Sequence, residues 1–154
     1  MSSSSLSRLR LTQVERALEP FTQVAGRTTP TSGWLRSIRE SLGRSIRTQA
    51  ALLGLAPATL QQSERSEAQD RISLGQLRKL ADGLDCELVY ALVPKKPLHD
   101  MVEDRARYLA VQEVGGVEHT MALEGQRPSD AFLERKVRER QEELLAGAWN
   151  RLWL

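Results

Sequence analysis

Residues 53–65 read LGLAPATLQQSER. Gly54 and Pro57, with the spacing of the leucines, make this a tight turn entering a helix. Glycine takes positive φ without steric cost. Proline is at home in a first helical turn, where its missing N–H is not needed. Just upstream, IRTQAALL (46–53) forms a short helix that the Ser45 hydroxyl can cap. Ala50 is small where the two helices cross, and Leu60 turns the second helix back onto a core. Two short helices joined by a glycine turn are a helix-turn-helix.

The flanking segments supply packing helices. WLRSIRESLG (34–43) is amphipathic, with Trp34, Leu35, Ile38 and Leu42 inward and Gly43 as its stop. The second helix of the motif is expected to run to about Arg65, followed by a polar loop, SEAQDR. Ser73 then caps LGQLRKLADGL (74–84), striped by Leu74, Leu77, Leu80, Ala81 and Leu84. In CELVYALVP (86–94) the period changes, and the crowding of Leu, Val and Tyr before Pro94 predicts a strand. An isolated strand is not stable. Its partner is expected from a second copy of the chain, another protein or a weak strand elsewhere.

SLSRLRLTQVERALEPF (5–21) spells a first helix ending near Pro20, and TQVAGRTTPTSG (22–33) a linker. Beyond residue 97 helices resume in LHDMVEDRARYLAVQEV, break or kink at Gly115–Gly116, and continue in VEHTMALE. A last helix starts at a Ser129 cap, and the tail AWNRLWL is aromatic and apolar. The expected fold is all-α with one short strand. Residues 1–32 form a helix and linker, 33–96 a helix-turn-helix domain, and 97–154 a helical extension.

The single cysteine, Cys86, excludes an internal disulfide, and no long apolar run is present. This reads as a soluble cytoplasmic protein. Net charge is +2, but residues 1–97 hold 14 Lys/Arg against 9 Asp/Glu, and residues 98–146 hold 7 against 11. Such a split suits two different partners, one of them a polyanion.

In a helix-turn-helix the start of the second helix enters the major groove of DNA. Ala58 and Thr59 could touch a thymine methyl, and Gln61 and Gln62 can bond adenine in bidentate fashion. Arg44, Ser45 and Arg47 lie near the start of the preceding helix, placed for phosphate, with Arg65 one turn past the glutamines. Solvated polar positions on a helical bundle are the plainer explanation. The local arginine excess and the turn spacing favour double-stranded DNA, bound by a homodimer. Neither His99 nor His119 belongs to a Cys/His cluster of metal-site type, and no nucleotide-binding glycine loop or nucleophile elbow is present. No enzyme activity, cofactor or metal is expected.

LGLAPATLQQSER resembles the second half of the motif in phage-repressor-like (XRE-type) regulators, with Gln49 and Ser63 standing where a core Leu or Ile is usual. More widely, GWLRSIRESLG, this motif, LDCELVYALVP, HTMALEGQ and the final RLW occur in the order seen in the bacterial family called mobile mystery protein A. The resemblance spans most of residues 33–153. It implies an antitoxin and autorepressor encoded beside a protein with a Fic domain, an enzyme class that usually transfers AMP from ATP to a hydroxyl side chain. Fic enzymes are commonly silenced by a helix carrying [S/T]-x-x-x-E-[G/N]. Thr120, Glu124 and Gly125 fit that pattern. The resemblance implies that Glu124 pairs with the arginine that otherwise holds the ATP γ-phosphate, since a carboxylate matches a phosphate oxygen for a guanidinium. By chance alone a pattern this loose occurs in roughly one chain of this length in ten. The alternative is a stand-alone dimeric repressor, with Pro128, Phe132, Leu133 and Val137 serving a dimer interface or core. A pure inhibitor with a vestigial helix-turn-helix is a third reading.

Overall fold

The computed structural model describes residues 2–154. Seven α-helices follow one another: α1 (Ser3–Leu18), α2 (Trp34–Ser41), α3 (Ile46–Leu52), α4 (Pro57–Ala68), α5 (Leu74–Asp82), α6 (Leu98–Leu123) and α7 (Asp130–Ala146). Two 3-10 turns, Glu19–Val24 and Trp149–Trp153, complete the described elements. The architecture is all-α, as expected. Serine hydroxyls set the starts of α3, α5 and α7. Ser45, Ser73 and Ser129 each accept the backbone N–H three residues ahead, from Thr48, Gln76 and Phe132. Each satisfies one of the N–H groups a helix leaves unpaired at its start.

Four expectations are corrected. Trp34 and Leu42, expected inward together with Leu35 and Ile38, leave 51 % and 53 % of their surface exposed, and only Leu35 and Ile38 meet the core. The predicted strand at 86–94 is not formed: among the described residues there is no strand. A strand exists only through its ladder, and among the described residues there is no other strand to pair with it. Of the expected break or kink at Gly115–Gly116, a break is absent, because α6 continues through both glycines to Leu123. Helix α4 runs one turn past Arg65, taking in part of the expected loop. It ends where Asp70 takes φ 56°, a conformation that Asp tolerates better than most residues.

The chain divides into two compact units. One is Val24–Ala91, and the other joins the residues through Gln23 to Leu92–Leu154. Thus α1 groups with α6 and α7. In the first unit Leu35, Ala50, Leu60, Leu80 and Leu84 form the core, and Cys86 packs on its edge. In the second, Val102 and Ala106 of α6, one turn apart, meet Leu152 of the tail, with Leu11 of α1 and Trp149 packed against them. The tail is held by side-chain bonds to main-chain carbonyls as well. Arg105 Nε donates to the Leu152 carbonyl at 2.5 Å, and Trp149 Nε1 to that of Leu145 at 2.9 Å. Within the same unit α1 is tied to the start of α6. Glu15 accepts the His99 backbone N–H at 3.0 Å, and the imidazole Nδ1 stands 3.0 Å from the same oxygen. The backbone bond holds the Glu15 carboxyl below its usual range, and the Glu15 contact raises the His99 pKa.

Candidate nucleic-acid interface

Helices α3 and α4 pack on each other across the turn at residues 53–56. The turn closes through two bonds: the Leu55 N–H donates to the Ala50 carbonyl at 2.9 Å, and the Gly54 N–H to that of Ala51 at 3.2 Å. Such a cap needs a left-handed residue at its centre. Gly54 supplies it with φ +66°. Ala50 has no exposed surface, which permits the close crossing expected of it.

Gln49 is fully buried despite its amide. Its Nε2 donates to the Gly83 carbonyl at 2.8 Å, and its Oε1 accepts from Arg44 Nη1 at 3.0 Å. The amide therefore links α3 to the end of α5, and what looks like a misplaced polar residue has its bonds met.

A buried ion pair fixes the back of α4. Arg39 of α2 and Glu64 of α4 leave only 7 % and 5 % of their surface exposed. Arg39 donates to the Glu64 carboxylate through Nε at 2.6 Å and Nη2 at 3.1 Å, and its Nη1 donates to the Arg44 carbonyl at 2.8 Å. The Glu64 carboxylate raises the Arg39 pKa further, against the opposing effect of burial. Glu67, one turn on, accepts the N–H groups of Trp34 and Leu35 at 2.8 and 2.9 Å, so α4 also caps the start of α2. Neither contact was legible beforehand. A charged residue on a short amphipathic helix reads as solvated until its partner is known.

With its back anchored, α4 presents Ala58, Thr59, Gln61, Gln62 and Arg65 to solvent, all exposed. Arg65 Nη1 lies 3.4 Å from Gln62 Oε1. Arg47 is exposed on α3, with no ion-pair partner among the described residues. Arg44 is half-buried and engaged by Gln49, and the Ser45 hydroxyl is spent on its cap. Thr120, Glu124 and Gly125 lie in the other unit, at the end of α6. There the Gly125 and Gln126 N–H groups close the helix on the carbonyls of Ala122 and Met121, with Gly125 at φ +79°.

Fold and site together define a helix-turn-helix protein, a DNA-binding transcriptional regulator. Residues 35–90, a span from α2 through α5, match the helix-turn-helix family model. No curated protein and no solved structure matches the chain. No helix among the described residues is long and apolar enough to cross a membrane.

Proposed function

We propose that the chain is an antitoxin of the mobile mystery protein A type. It silences a Fic-domain AMP-transferase through the end of α6 and represses its own operon, as a homodimer, through α3 and α4. The observation that carries the inhibitory half is the last turn of α6. Thr120 and Glu124 sit one above the other on an exposed face, and Glu124 has no ion-pair partner among the described residues. Thr120 Oγ1 donates to the Gly116 carbonyl at 3.2 Å. A carboxylate at a helix end can enter a guanidinium-lined phosphate site and displace the γ-phosphate. AMP transfer depends on positioning the α-phosphate, so a displaced nucleotide does not react. On the DNA side, Ala58, Thr59, Gln61 and Gln62 read bases, while Arg47 and Arg65 meet phosphates. The internal bonds of Arg44 and Ser45 favour a positioning task for those two.

The test is AMP transfer by the Fic protein encoded beside this chain, measured alone, with the wild-type chain and with Glu124→Gly. Inhibition by the wild type only, with both chains binding promoter DNA equally, supports the antitoxin. A second reading, a stand-alone dimeric repressor, is favoured by the capping geometry, since Gly125 is explained by the helix end alone. Then neither chain inhibits the enzyme.

A further inference from the structure

Residues 87–93 span one of the two points where the chain passes between units, and their backbone is left unpaired. Among the described residues none of their backbone N–H or C=O groups is bonded to another backbone group. Val89, Tyr90 and Leu92 leave 63 %, 61 % and 84 % of their surface to solvent. These residue types favour a pleated, half-covered strand, and a free apolar edge of this length is a template for another strand.

The charges at its two ends select the occupant. Asp85 and Glu87 lie at one end, Lys95 and Lys96 at the other. Lys96 is already paired with Asp104, whereas neither Glu87 nor Lys95 has an ion-pair partner among the described residues. Laid antiparallel on a second copy with the two-fold axis at Ala91, Glu87 of each copy faces Lys95 of the other. Val89 then faces Val93, Tyr90 faces Leu92, and Ala91 faces itself. Opposed pairs of this kind are the stabilising unit of an antiparallel ribbon. Parallel in-register pairing would instead set Glu87 on Glu87 and Lys95 on Lys95. We propose that residues 87–95 form a two-stranded antiparallel ribbon with the same residues of a second copy, in this register. Pro94 stands near its end, where a missing N–H is tolerated.

The inference deepens the homodimer of the proposed function and uses neither its DNA nor its enzyme partner. Failure of the AMP-transfer experiment leaves it standing, and its own failure leaves that experiment untouched. A lone two-stranded ribbon is marginal, so the association depends on concentration. Sedimentation equilibrium of the full chain is measured for the wild type, for Glu87→Lys, for Lys95→Glu, and for an equimolar mixture of the two variants. Both positions are exposed, and unchanged circular dichroism verifies the fold. The expected result is a wild-type dimer whose Kd rises about tenfold in each variant alone, as two opposite-charge contacts become two like-charge ones. The mixture returns to the wild-type Kd, because each mixed contact again opposes one positive and one negative side chain. A monomer at every concentration, a dimer indifferent to either reversal, or a mixture as weak as its components overturns the proposal.

Discussion

Arg39 and Glu64 show how one pair of residues decides whether a short helix can be presented. Both are charged and buried, and their bonds to each other and to the Arg44 carbonyl meet their polar groups. Removing one partner of a buried pair strands the other charge, whereas an apolar replacement of both is often close to neutral. Arg39→Met is therefore expected to cost about 3–5 kcal/mol of stability in urea unfolding. The double variant Arg39→Met/Glu64→Leu should recover most of it. A double variant as unstable as the single would show that the bond to the Arg44 carbonyl, rather than the pair, holds the motif. Gln49 follows the same logic at lower charge: its position suits a leucine, but Gly83 and Arg44 would then each lose a hydrogen bond.

At the scale of the element, α6 is the helix whose sequence and structure are most at odds. Gly115 and Gly116 stand in its interior, where each costs roughly 0.5–1 kcal/mol relative to alanine. A Cβ added at either would meet nothing within 4 Å, so no close approach demands a glycine. Gly115→Ala and Gly116→Ala should each stabilise the chain by about that amount. They should also slow amide exchange over residues 117–123. A loss of stability on either change would mean that the helix bends there in solution. Glycine propensity alone predicts a break or kink there. Helix continuity is held instead by the packing of α6 along α7, which a local pattern does not contain. At the other end of α6 the local signal sufficed, since the Gly125 cap uses the same bonds as the Gly54 turn.

For the whole molecule, the two units carry separate cores, one around Leu60 and the other around Leu152. Each leucine is almost fully buried, and truncation of such a residue to alanine costs about 2–5 kcal/mol. Because the two share no packing partners, the losses from Leu60→Ala and Leu152→Ala should add to within about 0.5 kcal/mol in the double variant. A larger discrepancy in the measured unfolding free energies would reveal a coupling between the cores.

What the sequence determined by itself were the features written in a few neighbouring residues. Serine caps at 45, 73 and 129, the Gly54 turn and the exposed start of α4 all act over one or two turns of chain. The tertiary structure decided the rest: the grouping of α1 with α6 and α7, the Arg39–Glu64 pair across 25 residues and the Glu15–His99 tie across 84. It also left residues 86–94 without a ladder. Those outcomes depend on which distant groups meet, and a strand or an ion pair has no existence in the sequence of one partner alone.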